Sequence, residues 1–198
     1  MGVVSSIMPS SDQALAMLMD GNRRFVNTQT THPHQDPEYR LTLGGGQMPF
    51  AAILACADSR VPPEVIFDEG LGDLFVVRVA GNIINDQLLG SLEYAAAHLN
   101  TPLIMVMGHT RCGAIGAVAS GAELEGHIAS LAPAIQPAVD KVRGREGDLT
   151  DNAAKEVARM TADELRNSEP VLAELVKTGK LKVVPAFYDL ETGVVELL

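Results

Sequence analysis

The chain has 198 residues, of which 46% are hydrophobic and 20% are charged. This composition excludes disordered, collagen-like and low-complexity chains, and the length predicts one domain over residues 1–198. The formal net charge of −10, with no Lys/Arg cluster, argues against partners such as nucleic acid or an anionic membrane. No run of about 18 apolar residues occurs, so we predict no membrane span.

The two cysteines and eight methionines, with no secretory signal, predict a reducing, cytoplasmic setting. In such a compartment a pair of thiols is more typical of a metal or redox site than of a disulfide. Gly2 and Ser6 fit a loose myristoylation pattern. One acyl chain without a polybasic patch anchors a protein poorly, so we expect only a frayed terminus there.

The predicted elements begin with a helix that starts at a Ser10–Gln13 capping box and ends near Asn27. A polar loop follows from Thr28 to Gln47, with room for one short helix. The remaining elements, in chain order, are strands Phe50–Ala55 and Asp73–Val79, helix Asp86–Leu99, strand Pro102–Met107, helices Ala114–Ala119, His127–Val142, Asp151–Asn167 and Val171–Lys177, and a hairpin of strands Leu181–Tyr188 and Val194–Leu198.

Strands that alternate with helices predict an α/β fold with a central, mostly parallel sheet flanked by helices. The first and third strands are unbroken apolar runs, which is typical of strands buried on both faces. The stretch from His127 to Lys177 is the one candidate for a subdomain, and we expect it to pack on the same core.

Metal-ligand side chains follow two of these buried strands. Cys56 comes directly after the first, and His109 and Cys112 come after the third. If the two strands are neighbours, these three side chains converge at the carboxyl end of the sheet, where ligands bind in open α/β folds. Two thiolates and an imidazole suit zinc, and three protein ligands with one open position are typical of a catalytic zinc.

Other interpretations of the same residues remain open at this point. Two cysteines and a histidine at strand ends can be ordinary core residues. A redox pair is less favoured because no CxxC motif occurs, and a phosphate-binding Gly-rich motif is also missing. Asp58 and Arg60, spaced to form a bidentate pair beside Cys56, favour a functional site.

The motifs CxDSRxxxE at Cys56–Glu64 and HxxCG at His109–Gly113 resemble those of the β-class carbonic anhydrases. The similarity extends over Asp20–Val26, Gly46–Pro49, Arg78–Asn82 and Ser91–Ala95, and spans about residue 14 to Tyr188. The resemblance implies reversible hydration of carbon dioxide to bicarbonate and a proton by attack of a zinc-bound hydroxide. It also implies a homodimer or homotetramer, an N-terminal helix packed on a partner subunit, and active sites near the subunit interface.

The resemblance assigns Cys56, His109 and Cys112 as ligands of Zn²⁺. It makes Asp58 the acceptor that orients the nucleophile, with Arg60 holding its carboxylate, and Asp58 a fourth zinc ligand in a closed state. The substrate-binding residues that it implies are Gln47, Phe75, Tyr94 and Gly113, with Tyr94 placed across the dimer interface.

His98, four residues after Tyr94 on one predicted helix face, is a candidate proton shuttle because a histidine titrates in the useful pH range. Arg78 and Tyr188 match two members of an allosteric bicarbonate pocket found in some relatives. Ile53 stands where that pocket has a tryptophan, so we expect it to be incomplete.

Two other functions are compatible with the motifs. A related enzyme that hydrolyses carbonyl sulfide or carbon disulfide would use the same zinc ligands. A non-catalytic, zinc-stabilised binding protein would hold zinc without an exchangeable water.

Overall fold

A computed structural model describes residues Met8–Leu198, so the Gly2–Ser6 pattern lies outside the described residues. One five-stranded sheet forms the centre, in the order β2-β1-β3-β4-β5. Its strands are β1 (Ala51–Ala55), β2 (Leu74–Arg78), β3 (Leu103–His109), β4 (Lys182–Tyr188) and β5 (Val195–Leu197). The first four strands are parallel and β5 is antiparallel to β4, which confirms the predicted mostly parallel sheet and the terminal hairpin.

Every residue of β1 and β3 is buried, as their unbroken apolar sequences predict for central strands. β3 runs two residues further than expected, because Gly108 and His109 pair with Phe187 and Tyr188 of β4. The prediction that β3 stops at Met107 was therefore wrong. The extension places His109 within the last rung of the sheet instead of in a loop.

One face of the sheet is covered by α1 (Ser11–Val26) and the single turn α3 (Pro63–Ile66). The predicted capping box is present, since Ser10 and Gln13 exchange side-chain and backbone hydrogen bonds. The loop after α1 contains the short helix α2 (Pro37–Thr42) and a 3₁₀ turn at Leu43–Gly45. The sequence did not predict α3, which is too short to show a hydrophobic period.

The other face is covered by α4 (Asp86–Glu93), α5 (Gly113–Ala119), α6 (Ala132–Val142), α7 (Leu149–Arg166) and α8 (Leu172–Lys177). The predicted helix Asp86–Leu99 is α-helical only to Glu93 and continues as a π-helical turn at Tyr94–His98. There the N–H of Leu99 donates to the carbonyl of Tyr94, five residues back, which widens the last turn.

The predicted helix His127–Val142 is also split, because Gly126–Leu131 is 3₁₀ and the α-helix begins at Ala132. Pro133 lacks a backbone N–H and fits an α-helix best in the first turn, which explains this starting point. α7 packs on β3 and β4 and its buried residues belong to the clusters on the sheet, as expected for the His127–Lys177 stretch. Among residues 8–198, no helix is both long enough and apolar enough to cross a membrane.

Candidate active site

The three predicted metal ligands converge at the carboxyl end of the sheet. β1 and β3 are neighbours in register, with Ala55 opposite Met107, so the residues that follow them emerge side by side. Cys56, His109 and Cys112 are all buried, and their ligand atoms lie within 4.8 Å of one another. The expectation that adjacent strands bring these side chains together is confirmed.

His109 is oriented by its own turn. Its Nδ1–H donates to the carbonyl of Thr110 at 2.9 Å, so Nε2 is the ring nitrogen left for another partner. Nε2 is buried and has no hydrogen-bond partner among the described residues. A buried polar nitrogen without a partner is costly. In a metal-bound histidine, one ring nitrogen typically donates to a protein group and the other binds the metal, which matches the arrangement of His109.

The two thiols share a proton. Their sulfur atoms are 3.9 Å apart, and the N–H of Gly81 also donates to Cys56 at 3.3 Å. The hydrogen bond from Cys112 lowers the pKa of Cys56 to about 4, against the opposing effect of burial, and the N–H of Gly81 contributes in the same direction. The same sharing, together with burial, raises the pKa of Cys112. Of the two thiols, Cys56 is therefore the one that loses its proton first.

This geometry fits a tetrahedral zinc ion. Two thiolates at about 2.3 Å from a tetrahedral metal lie about 3.8 Å apart. The observed sulfur separation is 3.9 Å. The set supplies three ligands, which leaves a fourth position for an exchangeable group, as in catalytic zinc sites.

Asp58 lies at the edge of this centre and is held by Arg60. Arg60 donates from Nε at 2.9 Å to one carboxylate oxygen and from Nη2 at 2.7 Å to the other. The backbone N–H of Arg60 adds a third hydrogen bond at 2.9 Å. These bonds, the Arg60 side chain first, hold the pKa of Asp58 well below its usual range. Asp58 Oδ2 is 4.0 Å from Nε2 of His109, so the carboxylate borders the fourth metal position.

Contacts that the sequence did not predict support both ligand turns. Arg78, at the end of β2, donates to the carbonyls of Cys56 at 2.9 Å and Asp58 at 2.5 Å. Arg111 adopts a left-handed backbone with φ of 53° between His109 and Cys112. Its N–H donates to the Asp151 carboxylate at 2.7 Å, and its carbonyl accepts from Arg60 at 3.3 Å. Each contact joins residues that are remote in sequence, so no local motif predicts it.

The predicted substrate-binding residues occupy two different ends of the molecule. Gly113 is exposed at the start of α5, directly after Cys112, and a Cβ added to it would meet no other group within 4 Å. Phe75, by contrast, is in register with Ala52, four residues before Cys56. At about 3.3 Å per residue it lies about 13 Å from the metal ligands along the strand direction.

Tyr94 packs against Phe75 with 6.3 Å between ring centroids, and His98 stacks on Tyr94 at 5.3 Å. Gln47 is exposed in the segment that leads into β1. The Thr101 hydroxyl ties this segment to the end of the Tyr94 helix through the carbonyl of Pro49, at 3.1 Å. Gln47, Phe75, Tyr94 and His98 therefore share the amino end of the sheet, opposite the group of Cys56, His109 and Cys112.

Comparison with known proteins agrees with the motifs. The family model described as "Carbonic anhydrase" matches residues 51–195. The chain is 39% identical over 194 residues to carbonic anhydrase 2 of Mycobacterium tuberculosis, covering 94% of this chain and 93% of that protein.

Two solved structures share the fold. The Coccomyxa β-carbonic anhydrase in complex with acetazolamide aligns with a TM-score of 0.74 and 26% identity, covering 93% of this chain and 86% of the other. A tetrameric β-carbonic anhydrase from Sordaria macrospora aligns with a TM-score of 0.77 and 24% identity, covering 94% and 97%. On its motifs, its fold and its sequence similarity, the chain belongs to the β-class carbonic anhydrases.

Proposed function

We propose that the chain binds one zinc ion through Cys56, His109 and Cys112 and catalyses the reversible hydration of carbon dioxide there. The observation that carries this proposal is the unpartnered, buried Nε2 of His109 facing two sulfur atoms 3.9 Å apart. Membership of the carbonic anhydrase family supports the reaction. A bound zinc supplies a Lewis acid that lowers the pKa of a coordinated water, less strongly with two thiolate ligands than with three imidazoles.

The chain's own residues orient the reacting groups. Asp58 is ionised at neutral pH because Arg60 stabilises its carboxylate, so it can only accept a hydrogen bond. Asp58 would therefore accept the proton of a nucleophile held beside it and leave the lone pair of that nucleophile free for the substrate. Gly113 leaves room for the substrate beside that position.

The substrate pocket is completed by a second copy of the chain. Gln47, Phe75 and Tyr94 cannot line their own chain's metal site, because they lie at the opposite end of the sheet. Tyr94 is 48% exposed although it is a large aromatic residue, as expected for a side chain that a partner covers. The relative from Sordaria macrospora is described as tetrameric, which supports an oligomer.

α1 supplies a second surface for this partner. Met17 is 41% and Val26 37% exposed on a helix whose opposite side packs on the sheet. A groove in the first half of this helix is lined by Met8, Pro9, Gln13, Ala16, Met17 and Asp20. We assign this surface to contact with the neighbouring subunit.

Mixed oligomers test the shared site. Co-expression of a Cys112→Ala chain with a Phe75→Ala/Tyr94→Ala chain yields dimers in which one site has intact ligands and an intact partner pocket. These mixed dimers should recover about half of the parent turnover, although each variant alone is inactive or weak. Recovery no greater than the mean of the two homodimers would show that the pocket residues serve their own chain.

His98 is the proposed proton shuttle. It is exposed at the end of the π-helical turn and stacks on Tyr94, so it lies beside the pocket that Tyr94 lines in the partner. A titratable imidazole there offers the product proton a route to buffer.

Stopped-flow measurement of carbon dioxide hydration by zinc-loaded protein tests the function directly. Cys56→Ser is the paired variant, because a serine hydroxyl is a far weaker zinc ligand than a thiolate. We expect rapid hydration by the parent and background rates in the variant. Zinc-loaded parent protein without hydration activity would refute the proposal, and a parallel assay of carbonyl sulfide hydrolysis would identify the related activity.

A further inference from the structure

A second buried side chain near the metal site lacks hydrogen-bond partners. Asn82 has no exposed surface, and neither its Oδ1 nor its Nδ2 has a partner among the described residues. Apart from Nε2 of His109, these are the only buried side-chain atoms in that state within residues 8–198. Burying an unpaired amide costs several kcal/mol, so a group outside the polypeptide must satisfy it.

Asn82 closes the turn that reaches the Cys56 sulfur. Gly81 and Asn82 both adopt left-handed backbones, with φ of 76° and 44°. The N–H of Asn82 donates to the carbonyl of Val79 at 3.0 Å, and the N–H of Gly81 donates to Cys56 Sγ at 3.3 Å. Asparagine is one of the few residues with a side chain that tolerates this conformation.

Gly81 and Asn82 of this turn are both buried. The turn packs against α5, α7, β1 and β3. A Cβ added to Gly81 would lie 3.0 Å from Ile135 and 3.7 Å from Ala114. A partner subunit cannot reach a side chain with no exposed surface, so the missing group is small and internal.

Both a donor and an acceptor of Asn82 need a partner. An anion would satisfy only Nδ2, and a cation would satisfy only Oδ1. Water both donates and accepts, and buried waters typically bridge such groups.

We propose that Asn82 binds an internal water and thereby acts as a positioning residue for Cys56, holding the left-handed turn that presents the Gly81 N–H to the sulfur. Its role is to fix the direction and the electron donation of one metal ligand. Partners of metal ligands commonly change metal affinity 10- to 100-fold when they are removed.

Two substitutions distinguish the effect of the left-handed backbone at position 82 from the effect of the side-chain carboxamide. Asn82→Leu keeps the approximate size but removes both polar atoms and disfavours the left-handed backbone. Asn82→Gly permits that backbone and removes only the side chain. We expect zinc affinity, measured by chelator competition, to fall about tenfold or more in Asn82→Leu and less in Asn82→Gly. The sulfur-to-metal charge-transfer band of the cobalt-loaded protein should shift in both.

Asn22→Leu is the matched control. Asn22 is also buried, but its three hydrogen bonds, with Ile66, Gly193 and Val195, involve neither the candidate metal ligands nor the Gly81–Asn82 turn. This variant should lose thermal stability while the zinc affinity and the cobalt spectrum of the folded protein stay unchanged. Asn82 variants that behave in the same way, or an Asn82→Gly protein with parent zinc affinity, would overturn the proposal. If Asn82→Leu fails to fold, Asn82→Gly decides alone.

The positioning of Cys56 rests on the proposed metal site, whereas the binding of a water by Asn82 does not. A high-resolution crystal structure of the metal-free protein tests the water separately. Density within hydrogen-bond distance of both Oδ1 and Nδ2 of Asn82 is the expected result. A carboxamide that contacts only protein atoms would contradict it, whatever the protein's activity.

Discussion

Substitution of Arg60 by alanine should close the metal site without emptying it. The change removes the two side-chain hydrogen bonds, at 2.9 and 2.7 Å, that hold Asp58 away from the metal position. Only the backbone N–H at position 60 still holds the carboxylate. An unperturbed aspartate has a pKa of about 3.9, so the released carboxylate stays ionised at pH 7 and remains a competent ligand.

The required movement is small. Nitrogen and oxygen ligands of a tetrahedral zinc, at about 2.0 and 2.1 Å, are about 3.4 Å apart. Asp58 Oδ2 is 4.0 Å from His109 Nε2 in the structure. For Asp58 to bind at the fourth position, its distance from His109 Nε2 must therefore shorten by about 0.6 Å, and misplacement on the ångström scale can lower a rate about 100-fold.

We expect Arg60→Ala to retain one zinc per chain and to lose about 100-fold in carbon dioxide hydration at pH 7. Stopped-flow kinetics, with zinc content measured on the same samples, check both statements. Arg143→Ala is the control, because Arg143 pairs with Asp140 on an exposed helix surface, and it should behave like the parent. Parent-like turnover by Arg60→Ala would refute the functional role of the Asp58–Arg60 pair. Loss of zinc from this variant would refute the statement that the pair only orients the nucleophile and is not needed for metal binding.

Three further predictions follow from other groups. Cys112→Ala should lose bound zinc in metal analysis while His127→Ala keeps it, and full retention in Cys112→Ala would contradict the ligand assignment. His98→Ala should lower turnover in weak buffer with catalytic efficiency unchanged and with rescue by imidazole, whereas equal turnover in weak buffer would remove His98 from the mechanism. Asp68→Asn should lose about 2 kcal/mol of unfolding free energy at pH 7, because Arg24 and two backbone N–H groups bind that carboxylate. Although burial opposes it, these bonds lower the pKa of Asp68 to about 2 from 3.8, so this stabilisation is present above pH 3.8 and is lost as pH falls towards 2. In denaturant titrations the two proteins should converge there, and a constant difference would contradict the argument.

Local sequence was sufficient where the physical cause is local. Unbroken apolar runs identified β1 and β3, and the Ser10–Gln13 spacing identified the start of α1. The predicted element boundaries were wrong where contact with another element, or the exact hydrogen-bond pattern, sets the boundary. β3 continues to His109 because β4 pairs with it, and the π-helical turn at Tyr94–His98 has no periodic signature that separates it from α-helix.

For the candidate site, local sequence was enough to identify the candidate ligands: two thiols, one imidazole and an Asp58–Arg60 pair placed just after buried strands. Those features depend on residues a few positions apart, which a linear motif records. The folded chain alone shows that β1 lies between β2 and β3, that Arg78 holds the Cys56 turn, and that Phe75 lies at the end of the sheet opposite Cys56. Strand order and the contacts between distant residues arise when separate apolar faces are buried together, and that choice depends on the whole chain at once.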